Sequence, residues 1–366
     1  MKQRIVVKVG TSVLTAGTPR LNRQRMLNIV DQIARLHQQG HEVVLVSSGA
    51  VAAGREKLNY PVFESSVPAK QMLSAVGQGR LMQYYGDLFD IFEIVIGQVL
   101  LTREDVGDRT RFLNARDTLF TLIDQRIVPI INENDTIAVH AIRVGDNDNL
   151  SALVATMIEA QMLVLLTDQA GLYSADPRYH EDAELIQTVT KIDEKIWEVA
   201  GGTSSGLGTG GMVTKLLAAQ LASRAGIETV ITDGRQADVL DRLIQGQLVG
   251  THFTPSKQAM ESRKRWLLME KVRGKIHVDE GAARKVLSEG ASLLPVGVRA
   301  VESEFKRGMV IAVCDAAGKE IAHGLTSYDS ADVNKLVGVK SGRISEILGY
   351  SYGDAIVHRN NMVTLD

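Results

Sequence analysis

Six short runs in which apolar residues occupy consecutive positions decide most of what this chain can fold into. They are RIVVKV (4–9), HEVVLVSS (41–48), FEIVIGQVLL (92–101), IVPIIN (127–132), MLVLLTD (162–168) and TVIT (229–232). A strand with one face in water alternates apolar and polar residues, whereas a strand covered on both faces is apolar throughout. Helical patterns fill the intervals at 22–39, 67–88, 110–125, 147–160 and 211–225. Strand, helix, strand in regular order predicts an α/β fold, a three-layer α/β/α sandwich around a mostly parallel sheet, spanning residues 1–256. Ligands of such folds collect beyond the carboxyl ends of the strands. The residues that follow each run are therefore the informative ones.

The first run delivers Lys8 and then Gly10, where a ligand can approach bare backbone. The second ends in Ser48, Gly49 and Ala50 at a helix start, where free N–H groups attract a carboxylate or phosphate. A serine there also serves as an ordinary N-cap. The fourth run ends in Asn132, Glu133, Asn134 and Asp135, and Asp146, Asn147, Asp148 and Asn149 follow before the next helix. So many amides and carboxylates exceed what capping requires. They suit an ammonium group, a magnesium ion or neighbouring lysines. The fifth run ends in Thr167 and Asp168, ahead of a turn-rich loop with an aromatic residue that suits a nucleoside.

GLGTGGMVTK (206–215) precedes the last long helix. Its spacing is not that of a P-loop, which needs G-x-x-x-x-G-K-[ST]. Bare glycine N–H groups followed by Lys215 nevertheless make a phosphate cradle of another kind. Successive strand ends thus describe one crevice, with a region for a zwitterionic small molecule and another for a polyphosphate. Lys8 and Lys215 can meet between them.

Composition excludes several alternatives. A net charge of −2 gives no electrostatic case for nucleic acid or a membrane. The eight histidines lack metal-ligand spacing, and no Ser-His-Asp or Cys-His arrangement competes. The single cysteine, Cys314, lies in an apolar run and reads as a buried thiol. MKQR leads straight into the first strand, so no signal peptide is expected and the cytoplasm is the expected compartment.

Residues 257–273 break the rhythm with a basic stretch that reads as a linker. Beyond it a β-rich second domain is expected over 274–353, from KIHVDE, MVIAVCD, EIAHGLTSY, AIVHR and one helix near 281–289, with 354–366 as a tail.

KVGTSVLT, VSSGAVAAGR, INENDT, VGDNDNLSA, LLTDQAGLYSADPR and GLGTGGMVTK together resemble the amino-acid kinase superfamily, and within it the glutamate 5-kinase family. DEGAARKVLSEGASLLPVGV and the strands after it resemble a PUA domain. The likeness covers essentially the whole chain in the expected order. It implies transfer of a phosphoryl group from ATP to the γ-carboxylate of L-glutamate with Mg2+, the first step of proline biosynthesis. Carried over position by position, it gives Lys8, Thr167, Asp168, Thr209, Gly210, Gly211, Met212, Val213, Thr214 and Lys215 to ATP. It gives Ser48, Asp135 and Asn147 to glutamate, with Asn132 and Asp146 as further candidates. Lys8 and Lys215 would flank the transferring group and Asp148 would hold them, with no protein ligand assigned to the metal.

The resemblance also implies feedback inhibition by proline, a homo-oligomer (dimer or tetramer) built through the kinase domain, and transient contact with glutamyl phosphate reductase. Acetylglutamate kinase and aspartokinase are the nearest rivals, and the PUA-like segment argues against both. A regulatory amino-acid-binding protein without catalysis is disfavoured by the intact pair Lys8 and Lys215. RNA binding is disfavoured because residues 273–366 carry twelve lysines and arginines against twelve aspartates and glutamates.

Overall fold

The computed structural model describes residues 2–60, 66–138, 147–201, 211–256 and 270–365. The chain divides into two compact units, Met1–Ala259 and Met260–Asp366.

The first unit runs β1 (Arg4–Val9), α1 (Thr11–Thr15), α2 (Arg23–Gln38), β2 (Glu42–Ser47), α3 (Ala50–Lys57), α4 (Val67–Asp90), β3 (Ile96–Leu101), α5 (Arg103–Gly107), α6 (Arg109–Asp124) and β4 (Val128–Glu133). It continues with α7 (Asn147–Met157), β5 (Met162–Thr167), β6 (Thr188–Val189), α8 (Glu194–Val199), α9 (Met212–Arg224), β7 (Glu228–Asp233), α10 (Val239–Ile244) and β8 (Thr251–Phe253). The strands form one sheet in the order β3-β4-β2-β1-β5-β7-β8-β6. Every pairing is parallel except β7 with β8. This is the expected mostly parallel sandwich, and the order turns around β1.

Because side chains alternate across a strand, β1 feeds two cores. Val7 and Val9 face Ile29 and Ile33 of α2 with Leu81 and Tyr85 of α4. Val6 faces Val154 of α7 and Leu216 of α9. Truncating one fully buried aromatic of such a core, Phe89 for example, costs about 3–5 kcal/mol. Lys8 has the parity of Val6, so its side chain leaves the sheet on the side of α7 and α9. Register then levels the strand ends, with Val9 opposite Ser47 on one side and Leu166 on the other.

Helices α3 and α4 touch backbone to backbone. A Cβ added at Gly77 would lie 1.8 Å from the carbonyl oxygen of Ala50, and one at Gly54 would lie 1.9 Å from that of Leu73. Only glycine permits that approach.

The run expected as a strand over 92–101 is strand only from Ile96. The N–H groups of Phe92 and Ile94 bond back to the carbonyl of Phe89, and Glu93 takes φ 56°. Ile94 therefore reaches the core from a turn, which its apolarity alone could not distinguish from a strand.

The second unit contains β9 (Lys275–Val278), α11 (Glu280–Glu289), β10 (Val298–Glu302), β11 (Val310–Cys314), β12 (Glu320–Thr326), α12 (Ser330–Leu336), α13 (Ile344–Leu348) and β13 (Val357–Thr364). Its sheet has the order β10-β9-β11-β12-β13. Ile276, Val313, Tyr328 and Val333 lie in its own core. Cys314 ends β11 as a buried free thiol, and burial pushes its pKa up.

Two expectations need correction here. The segment 354–366 is not a tail, since β13 pairs antiparallel with β12 and closes that side of the sheet. The basic linker, 257–273, lies outside the described residues up to 269, and its last residues belong to the second unit. Val272 packs against Val310, Leu325 and Val363, and the Arg273 N–H bonds to the Val310 carbonyl at 2.8 Å.

Candidate active site

The carboxyl ends of β1, β2, β4 and β5 and the first turns of α7 and α9 meet at one place. Lys8 arrives from β1, Asp148 from the first turn of α7 and Lys215 from the first turns of α9. Lys8 Nζ lies 2.6 Å from Asp148 Oδ1, and Lys215 Nζ lies 3.3 Å from Asp148 Oδ2. The Thr214 hydroxyl donates to the same Oδ2 at 2.7 Å. Burial alone would push the Asp148 carboxyl up, but the Lys8 ammonium and then Lys215 hold it below the ordinary carboxylate range. One carboxylate thus steadies two cations, and the cluster keeps a net positive charge for an incoming anion.

Lys215 lies in the first turns of α9, whose N-cap is Gly211 with a φ of 75° that strains any residue with a Cβ. The lysine also donates back to the Gly211 carbonyl at 3.2 Å.

A second cluster lies beside the cations. Asn147 Nδ2 donates to Ser48 Oγ at 2.9 Å and to Asn132 Oδ1 at 2.9 Å. Ser48 is not the N-cap of α3. Gly49 takes that place with φ 106° and no side-chain cap bond, so the serine hydroxyl serves the cluster instead. Asn147 Oδ1 is buried and meets no hydrogen-bond donor among the described groups. Asp135 stands just past the end of β4, where burial raises its carboxyl above the ordinary range and a hydrogen bond from Ser74 partly opposes this. An acceptor without a donor and a half-buried carboxylate suit an ammonium group.

On the other side a cavity of about 730 Å³ is lined by Thr167, Asp168, Tyr173, Gly211, Met212 and Lys215, among others. Its volume suits a nucleotide. The Thr167 hydroxyl donates to Asp168 at 3.1 Å, and Arg235 binds the Asp168 carbonyl at 2.8 Å. Val213 turns its side chain into the core, so only its main chain is available to a ligand. Asp146, Thr209 and Gly210 lie outside the described residues.

Sequence reasoning missed Ser74 and Gln78 of α4, which bond Asp135 and Asn132. It also missed Arg235. No motif flags any of them; the one available signal was their place on elements bordering the strand ends.

The model of the amino acid kinase family matches residues 3–233, and that of the PUA domain matches residues 274–348. Glutamate 5-kinase of Sodalis glossinidius is 53% identical over 361 residues, covering 99% of this chain and 98% of that one. Glutamate 5-kinase of Cronobacter sakazakii is 52% identical over 362 residues, with 99% of each chain covered. Among solved structures, UMP kinase from Bacillus anthracis aligns at a TM-score of 0.48 and 15% identity, over 69% of this chain and 96% of that one. The chain belongs to the amino acid kinase family, within its glutamate 5-kinases, and carries a PUA domain.

Proposed function

We propose that this protein transfers the γ-phosphoryl group of ATP to the side-chain carboxylate of L-glutamate, the first step of proline biosynthesis. The products are L-glutamyl 5-phosphate and ADP. A glutamate side chain has an ordinary pKa of about 4.3, so the nucleophile arrives ionised and needs no general base. A carboxylate oxygen attacks the γ-phosphorus while the bond to the β,γ-bridging oxygen breaks and ADP leaves with its electron pair. The difficulty is repulsion between two anions. Alignment and charge neutralisation then supply the catalysis.

The observation that carries this reading is the pair Lys8 and Lys215 on one buried carboxylate, between the Ser48–Asn132–Asn147 cluster and a cavity of about 730 Å³. Asp135 and Asn147 Oδ1 would take the α-ammonium, and Ser48 would take the α-carboxylate. Thr167, Asp168 and the turn before α9 would take the nucleotide.

Mg2+ would arrive on the phosphates of the nucleotide rather than in a cage of protein ligands. Among the described residues no group of three or more His, Cys, Asp or Glu could hold an ion by itself. Mg2+ commonly keeps several waters and binds through phosphates. When bound it neutralises phosphate charge; no described side chain is assigned to it directly.

Proline shares the α-amino-acid head of glutamate and would compete at the same cluster. Assembly through the kinase domain, a cytoplasmic location and contact with glutamyl phosphate reductase belong to the same proposal. Among the described residues no helix is long and apolar enough to cross a membrane.

The test is ADP release with glutamate, N-acetylglutamate and aspartate, each with and without proline. Glutamate should be the substrate, and proline should raise its apparent KM. Preference for N-acetylglutamate or aspartate would overturn the assignment.

A further inference from the structure

Helix α4 carries no part of the catalytic cluster, yet it supplies two polar side chains to the amino-acid side of the site. Ser74 and Gln78 are one turn apart and so share a face. Gly77 sits between them in sequence and locks that turn against Ala50 at the start of α3, two residues after Ser48. The Ser74 hydroxyl is buried and donates to Asp135 Oδ2 at 2.5 Å, which leaves Oδ1 for a ligand. Gln78 Oε1 accepts from Asn132 Nδ2 at 2.8 Å.

A carboxamide has one donating end and one accepting end, so the second bond propagates. With its Nδ2 engaged by Gln78, Asn132 presents Oδ1 to Asn147 Nδ2 at 2.9 Å. Asn147 then turns its own Oδ1 away, where no described donor meets it. The helix thereby fixes which atoms of Asn147 and Asp135 face a substrate ammonium.

We infer that Ser74 and Gln78 are positioning residues for glutamate: they act through Asp135 and through Asn132 and Asn147, and they set affinity for the amino acid rather than turnover. This rests on the glutamate reading above. Ser74 has a further effect. Burial pushes the Asp135 carboxyl up and the Ser74 hydrogen bond opposes it, so removing the hydroxyl raises Asp135 further. At a given pH less of it is then ionised to meet the ammonium.

The experiment is steady-state kinetics on the full chain carrying Ser74→Ala, Gln78→Met or Gln78→Glu. Loss of a hydrogen bond to a charged or polar binding group should raise the glutamate KM about tenfold in Ser74→Ala and Gln78→Met, with kcat and the ATP KM changing by less than about twofold. Ser74→Ala should also move the acid limb of kcat/KM for glutamate to higher pH. Gln78→Glu keeps an acceptor oxygen and should recover most of the affinity.

An unchanged glutamate KM with an unmoved acid limb overturns the inference. So does a parallel loss of ATP affinity and melting temperature, which marks a packing role. Should Ser74→Ala fail to fold, the half-buried Gln78 carries the decision alone. Wild-type protein that phosphorylates another amino acid overturns the glutamate reading instead, and the same variants are then judged on the KM for that substrate.

Discussion

Lys8 Nζ and Asp148 Oδ1 stand 2.6 Å apart, a contact made by the end of β1 with the first turn of α7. Both side chains are almost fully buried, and Lys215 approaches the other carboxylate oxygen. Removing the carboxylate leaves two ammonium groups facing one another with no anion between them. Breaking a buried pair in this way costs about 3–5 kcal/mol. Asp148→Asn should therefore lower the melting temperature of the ligand-free protein and abolish most turnover, and ATP should recover part of the stability by restoring negative charge.

The same pair has a pH signature. Asp148 has a depressed folded-state pKa, so its stabilisation is fully present above the unfolded value, about 3.9, and is lost as pH falls through the lower folded value. The stability gap between wild type and Asp148→Asn should be flat near neutrality and shrink below about pH 4. Denaturant titrations at several pH values measure it.

Lys215→Ala should spare glutamate binding and remove turnover. Loss of a preorganised cationic donor at a transferring phosphoryl group is worth about 10²–10³ in kcat. An unchanged kcat in that variant would remove Lys215 from the reaction.

Asp135 behaves in the opposite sense to Asp148. Its folded-state pKa is raised by burial, so its ionised form costs stability at neutral pH, and that cost fades as pH falls below the raised value. Asp135→Asn should raise the melting temperature near pH 8, lose that advantage in acid, and raise the glutamate KM with little change in the ATP KM. Thermal scans and kinetics on one preparation test both halves.

Two glycines of α4 should respond in opposite directions. Gly77→Ala drives a methyl group into the backbone of α3 and should destabilise strongly. At Gly79 a Cβ meets nothing within 4 Å, so Gly79→Ala should stabilise by about 0.5–1 kcal/mol through helix propensity. Equal effects from the two would contradict the close contact of α3 with α4.

The parts of the fold that were legible in sequence are those buried on both faces. β4 and β5 are covered along their whole length, so consecutive apolar residues betray them. β10 has most of its positions at least partly exposed and carries no such signal, and in β13 the run AIVHR marks only the start, because the strand continues through the polar Asn360 and Asn361. β13 is specified by its partner β12, which is a long-range fact. Within the candidate site, Lys8, Asp148 and Lys215 could be picked out because Lys8 lies near the carboxyl end of β1 and the other two lie in the first turns of α7 and α9, all at the ligand-bearing edge. Ser74 and Gln78 were not, because a polar pair one turn apart on a long helix reads as a solvated face. Only the folded chain shows that this face meets Asp135 and Asn132.

The most direct measurement is trapping of the acyl phosphate. Protein, ATP, Mg2+ and L-glutamate are incubated with hydroxylamine, and the γ-glutamyl hydroxamate is quantified against ADP released. One hydroxamate per ADP from wild type, with almost none from Lys8→Ala or Lys215→Ala, is the predicted result. ADP release without hydroxamate, or undiminished hydroxamate from either lysine variant, would contradict a phosphoryl transfer carried out between those two cations.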